Sequence, residues 1–399
     1  MKILLGISAG ISIYKIPTVI RILRREGHSV KVIMTPNAAR LIDPLLFKAI
    51  SGGDVFVNDF DFREPLAHIT LSDWADVLAV APASADIIAK IAGGFADSLL
   101  TTSILACSKK KILFPAMNTR MLDSKVTCDN LQKLSGLPDY TVVMPDSGDL
   151  ACGTTGRGRL PQEDKIAAII GREIDEPLKG NRYIVSAGGT VEKIDPVRYI
   201  SNFSSGKTGI EIAKALYKKG ADVLLVYSNI SAAPPSWIPS IKVGSASDML
   251  AALKANLPQY NGLYMAGAPA DFRPAAFSES KIKKEAGPLP EIGLVKTPDI
   301  LKELHDSGLG NGRLIVGFAL ESENGSENAL KKMNDKGLDY IALNMIDIKA
   351  KTTPMGRDDN ELELFSASSA GGEKFEGSKK DAAQWLVMKT ALRSGKEDK

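Results

Sequence analysis

The chain is short of the residues that would staple, plate or anchor it. Its 399 residues include three cysteines, Cys107, Cys128 and Cys152, and none belongs to a CxxC pair. A disulfide framework is excluded, and a reducing cytoplasmic setting is expected. The three histidines are closely spaced neither with one another nor with cysteine, which argues against a structural zinc site. The apolar run in the N-terminal MKILLGISAG is too short to span a bilayer. It reads as a first β-strand entering a glycine turn rather than as a leader. Charge of one sign is missing too. A net charge of +3 on dispersed basic residues predicts neither nucleic acid nor membrane as a partner.

What is present is ordinary globular material, 44% hydrophobic and 24% charged, in a length that suits two domains. Apolar runs at 3–7, 30–34, 77–81, 111–114 and 141–144 alternate with helical stretches at 13–26, 84–92, 97–106 and 127–134. Continuous apolar strands alternating with helices predict an α/β parallel sheet covered on both faces. Residues 171–181 are polar, carry Pro177 and Gly180 and show no periodicity, so they read as a linker between domains 1–170 and 182–393. The second domain repeats the alternation, with strands at 182–186, 222–227, 263–266, 314–318, 340–342 and 361–365. The last of these alternates polar with apolar residues and reads as a half-exposed edge strand. Two doubly wound domains follow, with ligands expected at the carboxyl ends of their strands.

Those ends carry the chemistry. The first loop, Gly6-Ile-Ser-Ala-Gly10-Ile-Ser12, spaces its glycines four apart and lacks the GxGxxG of NAD enzymes. Thr35-Pro36-Asn37, Ala81-Pro82-Ala83-Ser84 and Pro115-Ala116-Met117-Asn118 add small polar residues at other strand ends. Together they suit a flat cofactor bearing a phosphate. Cys152 lies in a glycine-rich loop with Arg157 and Arg159 nearby, a setting that favours a thiolate.

The motifs His68-Ile-Thr-Leu71, Pro115-Ala-Met-Asn118 and Ala151-Cys-Gly-Thr-Thr-Gly-Arg-Gly-Arg159 resemble those of the homo-oligomeric flavin-containing cysteine decarboxylases. The resemblance implies an N-terminal flavodoxin- or Rossmann-like flavoprotein domain with FMN held at Gly10, Ser12, Thr35 and Ser84. It implies His68 as catalytic base or positioning group, Met117 and Asn118 at the substrate, with Asn118 on its carboxylate, and Cys152 as proton donor on a lid. Asp86 departs from the family's usual asparagine, exchanging an amide for an acceptor-only carboxylate. Ser98 replaces a common asparagine.

The stretch Ser186–Gly209, SAGGTVEKIDPVRYISNFSSGKTG, opens the second domain. Its Gly206-Lys207-Thr208 mimics the end of a P-loop, but Ser201 stands where that motif needs glycine. It resembles instead the phosphopantothenate–cysteine ligase half of the bacterial bifunctional enzymes of coenzyme A synthesis. The segments Ala266–Pro274, Lys281–Lys284, Gly317–Glu321 and Lys332–Asp339 follow in that family's order. The resemblance implies a Rossmann-like ligase domain that joins 4′-phosphopantothenate to L-cysteine with CTP and Mg²⁺ through an acyl-CMP. The flavin half would then yield 4′-phosphopantetheine. Lys281 is the implied catalytic cation. Lys332 and Lys336, one helical turn apart, would take the nucleotide phosphates. Asp271 and Phe318 would hold the base or ribose, and Asn202 and Arg198 the acyl intermediate. No metal ligand is assigned. Trimeric flavin domains and dimeric ligase domains would combine into a closed homo-oligomer of twelve chains. Two other readings stay open, a decarboxylase of peptidyl cysteine and a non-enzymatic flavoprotein that binds a partner. An NAD dehydrogenase is disfavoured by the missing glycine motif.

Overall fold

The computed structural model describes residues 1–58, 65–149, 153, 155–172, 176–283, 291–345, 358–367 and 369–393. The chain divides into two compact units, Met1–Ile174 and Asp175–Lys399.

The first unit is built on strands β1 (Lys2–Ile7), β2 (Ser29–Met34), β3 (Val55–Phe56), β4 (Val77–Ala83), β5 (Lys110–Pro115) and β6 (Tyr140–Val142). All pair in parallel, in the order β3-β2-β1-β4-β5-β6. That is the Rossmann order rather than the flavodoxin order, with the switch point between β1 and β4. Alternate residues of β1 feed two cores. Ile3, Leu5 and Ile7 face one cluster and Leu4 the other, so the sheet is covered on both faces. The expected helix at 13–26 is divided. A 3₁₀ turn, Ile11–Lys15, precedes the α-helix Ile16–Arg25, whose first turn carries Pro17. Proline suits that position because its missing N–H would have no intrahelical partner there. The short helices Pro36–Leu41 and Pro44–Ser51 were not expected. Each starts on a capping side chain, Thr35 or Asp43, followed by proline.

The second unit carries β7 (Arg182–Ala187), β8 (Asp222–Tyr227), β9 (Ser240–Lys242), β10 (Gly262–Met265), β11 (Leu314–Glu321), β12 (Tyr340–Met345), β13 (Asp359–Ser366) and β14 (Ser369–Ser378). Their order is β9-β8-β7-β10-β11-β12-β13-β14. The first six pair in parallel and the last two add antiparallel. Tyr183, Val185 and Ala187 point into one core and Ile184 into the other.

Two expectations need correction. The strand at 361–365 is no edge. It lies inside β13, which pairs with β12 on one side and β14 on the other. Its alternation reflects one buried and one exposed face, and the polar, glycine-bearing β14 covers its outer side. The end of the linker read at 171–181 also belongs to the second unit. Leu178 is buried in that unit's core, and its N–H donates to the Lys219 carbonyl at 2.8 Å. Ile174 and Leu178 are the only two aliphatic residues of the stretch, too few to show a period, so this anchor leaves no pattern in the sequence.

Candidate functional site

In the first unit the loops at the carboxyl edge are stitched together by a residue the sequence reading passed over. Ser8 is buried; its hydroxyl donates to the Pro82 carbonyl at 2.8 Å and accepts from the Ser84 N–H at 2.9 Å. This fixes the end of β1 against the end of β4, at the switch point. Gly10 lies there in extended backbone, at φ −175°. A Cβ added to Gly10 would meet only the Pro82 Cγ at 3.7 Å and the Ser12 Oγ at 4.0 Å, so the chain itself leaves room at that position. Ser84 caps the helix Ala85–Gly93, its hydroxyl accepting from the Ile87 N–H at 3.3 Å. Thr35 caps the next loop's helix through the Ala38 N–H at 3.2 Å. Gly10, Ser12, Thr35 and Ser84 thus occupy one edge, as a phosphate-bearing flat ligand would need. Asp86 sits in the first turn of the helix Ala85–Gly93, where a carboxylate suits the positive helix end, and pairs with Lys90 at 3.6 Å.

His68 lies half-buried in the first turn of the helix Ala67–Trp74. That helix leads into the start of β4, so its own start lies toward the carboxyl edge. The Ser72 hydroxyl bonds both the His68 carbonyl and the Ser103 carbonyl, at 2.6 and 2.9 Å, tying this helix to its neighbour. Asn118 caps Thr119–Leu122, its Oδ1 accepting from the Arg120 N–H at 2.9 Å. Cys152 lies outside the described residues. The flanking hairpin, Asp146–Asp149 paired with Thr155–Arg159, is described and is docked on the Asn118 loop. The Met117 N–H donates to the Gly158 carbonyl at 3.0 Å and the Thr119 hydroxyl to the Arg157 carbonyl at 2.6 Å. Gly158 has φ +129°, and a Cβ there would stand 2.0 Å from the Met117 carbonyl oxygen. No other residue permits so close an approach.

Lys15 also went unnoticed in the sequence. It is buried, and its ammonium donates to the carbonyls of Leu160 and Pro161 at 3.1 and 3.3 Å, just beyond the hairpin. Burial lowers its pKa, outweighing the attraction of Glu163.

The second unit holds a cavity of about 790 Å³ at the carboxyl edge of its sheet. Asn202, Asp271, Phe318, Lys332 and Lys336 all line it, although they come from four separate segments. Asn202 donates to the Pro269 carbonyl at 3.0 Å, joining the loop after β7 to the loop after β10. The helix Lys207–Lys218 starts on the cavity at Gly206, whose φ is +74° and whose Cβ would meet Ile230 at 2.3 Å. A Cβ on Gly209 would stand 2.6 Å from the Ser186 carbonyl, so glycine brings this helix start down onto β7. The Lys332 ammonium donates to the Phe318 carbonyl at 2.8 Å. Its pKa is lowered, chiefly by burial and then by Lys336. Lys336 pairs with Asp299 at 2.8 Å. Burial disfavours the Asp299 carboxylate, yet Lys336 and the Lys302 N–H together hold its pKa below the usual range.

Two expected site residues stand apart. Arg198 and Lys281 are not among the cavity-lining residues. Arg198 is committed to Asp195, through Nε at 2.9 Å and through Nη2, and it also donates to the Ile282 carbonyl at 2.9 Å. Asp195 is buried and accepts from the N–H groups of Val197, Arg198 and Ile282. The Arg198 guanidinium, helped by those N–H groups, holds the Asp195 carboxyl well below the usual carboxylate range. The pair therefore clamps the backbone next to Lys281 from both its N–H and its carbonyl. Asp-Pro-Val-Arg is the sequence signal that marks it, an aspartate initiating a turn onto a following cation. Lys281 itself is exposed on the segment joining Phe272–Pro274 to Leu294–Lys296, and residues 284–290 lie outside the described residues. Among the described residues no group of three or more His, Cys, Asp or Glu could hold a metal ion, and no helix is long and apolar enough to cross a membrane.

Two Rossmann-like units, each with loops gathered at the carboxyl edge of its sheet, define a two-domain α/β protein. The family described as Flavoprotein matches residues 1–175, and that described as DNA/pantothenate metabolism flavoprotein C-terminal domain matches residues 178–392. The coenzyme A biosynthesis bifunctional protein CoaBC of Escherichia coli (strain K12) is 39% identical over 371 residues, covering 91% of this chain and 90% of that protein. Its counterpart in Bacillus subtilis (strain 168) is 37% identical over 371 residues, with the same coverage. That of Mycolicibacterium smegmatis is 35% identical over 401 residues, covering 97% of this chain and 96% of the relative. The crystal structure of the C-terminal domain of a CoaBC protein superposes with a TM-score of 0.46 at 31% identity, over 56% of this chain and 100% of its own. The chain belongs to the family of coenzyme A biosynthesis bifunctional proteins CoaBC. It is a bifunctional enzyme of coenzyme A biosynthesis, a ligase joined to a flavoprotein decarboxylase.

Proposed function

We propose that the second unit joins 4′-phosphopantothenate to L-cysteine with CTP and that the first, holding FMN, decarboxylates the product to 4′-phosphopantetheine. The observation that carries this reading is the 790 Å³ cavity, where Asn202, Asp271, Phe318, Lys332 and Lys336 converge beside a helix start. An acid and an amine do not condense in water without activation. A carboxylate oxygen of the acid attacks the α-phosphorus of CTP, pyrophosphate leaves, and an acyl-CMP forms. The cysteine nitrogen then attacks the acyl carbon, loses its proton, and CMP leaves. Both partners in the first step are anions, so cations must offset the charge that develops. Lys332 and Lys336 offer it within the cavity, and Lys281 offers it from the segment whose backbone Asp195 and Arg198 hold. Arg198 would thus act on the acyl intermediate through that segment. Asn202, which lines the cavity with its Nδ2 on the Pro269 carbonyl, would take the acyl group, and Asp271 and Phe318 the nucleotide. Mg²⁺ would enter with the nucleotide phosphates.

The first unit fits a flavin phosphate by the room at Gly10, the capped helix start at Ser84 and the Ser8 stitch between them. When bound, FMN supplies the two-electron oxidation that lets the cysteinyl carboxylate leave as CO₂ and returns those electrons afterwards. Asn118 and Met117 hold the substrate carboxylate end, His68 positions or deprotonates the reacting side chain, and Cys152 delivers the last proton. A reducing cytoplasm keeps Cys152 as a thiol. Trimeric and dimeric contacts between copies would combine into a dodecamer. The test is mass spectrometry of the products formed from 4′-phosphopantothenate, cysteine, CTP and Mg²⁺. 4′-Phosphopantetheine is the expected product. A folded, yellow protein that forms no new product refutes the reading and favours a peptidyl-cysteine substrate.

A further inference from the structure

The inner wall of the ligase cavity contains an amide that no motif identified. Asn360, near the start of β13, is 5% exposed and lines the cavity, yet among the described residues neither its Nδ2 nor its Oδ1 has a hydrogen-bond partner. A buried amide left in that state costs stability, so native chains keep one where a ligand completes it. Its surroundings define the ligand. Asp358, two residues earlier, pairs with Lys207 at 2.7 Å, and its carbonyl accepts the Lys379 N–H at 2.8 Å. Asn360 is thereby tied to the starts of two helices, Lys207–Lys218 and Lys379–Lys389, and both lysines line the cavity. Two helix starts and the Lys379 ammonium face this corner, with Lys207 balanced by Asp358, and the helix starts favour an anion.

We propose that Asn360 is a ligand-contacting residue of the ligase site, its Nδ2 donating to a phosphoryl oxygen and its Oδ1 accepting from a hydroxyl of the same ligand. The shared chemistry is a phosphate ester with a nearby hydroxyl, which the nucleoside triphosphate and the phosphorylated acid both carry. The inference rests on the ligase reading above.

The test compares wild-type, Asn360→Ala and Asn360→Leu proteins. Ligation is measured with CTP varied and with 4′-phosphopantothenate varied, and each substrate is titrated calorimetrically onto each protein. The expected result is a KM and a Kd raised at least tenfold for one substrate, about 1.4 kcal/mol, with the other nearly unchanged. The substrate affected identifies which phosphate sits at Asn360. Leucine matches the amide in shape without its polar atoms, so the ligand-free Asn360→Leu protein should melt no lower than wild type. Unchanged constants for both substrates overturn the proposal, and so does a lowered melting temperature of Asn360→Leu with unchanged binding, which marks a structural amide. If the wild type ligates and the variants bind equally well, this inference fails while the ligase reading stands. If the wild type makes no ligated product, the ligase reading fails, and the calorimetric comparison still decides Asn360.

Discussion

Replacing Gly158 by alanine tests how the decarboxylase half holds its cysteine hairpin. Its φ of +129° is closed to alanine without strain, and the added Cβ would lie 2.0 Å from the Met117 carbonyl oxygen. That oxygen is backbone, two residues beyond β5, and cannot swing aside as a side chain would. Undocking the hairpin relieves both problems and forfeits the Met117 N–H bond to the Gly158 carbonyl. The backbone strain costs about 1–3 kcal/mol. The bond is made by wild type and variant alike when docked, so the strain alone shifts the equilibrium, and it lowers the docking constant by a factor of roughly 5 to 140. The hairpin's strands flank Cys152 in sequence and dock on the Asn118 loop, so decarboxylation should fall by a similar factor while ligation, carried by the other unit, continues. Mass spectrometry of a coupled reaction should show 4′-phosphopantothenoylcysteine accumulating at the expense of 4′-phosphopantetheine. Gly153→Ala is the control, since Gly153 shares a positive φ, +79°, but meets nothing within 4 Å. A folded Gly158→Ala protein that decarboxylates within threefold of wild type would refute the docking argument.

Lys15→Met should also spare ligation and slow decarboxylation. It strands the buried carbonyls of Leu160 and Pro161, a loss of about 1–3 kcal/mol for each unsatisfied group; unchanged thermal unfolding of the first unit would contradict it. Asp195→Asn should lower ligation by loosening the backbone beside Lys281, and its stability deficit should depend on pH. The Asp195 carboxyl has a depressed folded-state pKa, so its contribution is present above the unfolded carboxylate value near ~3.9 and is lost as pH falls through the folded value. Wild-type and variant melting curves should therefore converge on acidification, and a constant offset would sink the idea. Lys332 gives the opposite signature. Its folded pKa is lowered, so between that value and the unfolded value near ~10.4 the unfolded chain binds more protons and stability rises with pH. From neutral pH toward 10, wild type should gain on Lys332→Met in urea unfolding; parallel curves would exclude a titrating Lys332.

The α/β character of both units was legible because buried parallel strands must be apolar throughout, and runs such as 3–7 and 222–227 state it directly. The residues of the cavity were legible through the family resemblance, which implied Asn202, Asp271, Phe318, Lys332 and Lys336; spacing added only that Lys332 and Lys336 share a helix face. Polar strands were not legible. Ser369–Ser378 carries no apolar period, so its neighbour 361–365 looked like an edge. Single buried polar residues were equally silent, because burial is a property of what packs around a residue rather than of the residue.

The sequence by itself therefore determined the class of each domain and the glycine- and serine-bearing loops at its strand ends, and its resemblance named several of the side chains that line the second unit's cavity. The tertiary structure decided who touches whom. It turned Arg198 inward to Asp195, left Lys281 outside the cavity, and set Lys15 beneath the hairpin. It also buried on β13 an amide that has no partner among the described residues. Those assignments depend on segments far apart in the chain meeting at one strand edge, and no local spacing encodes that meeting.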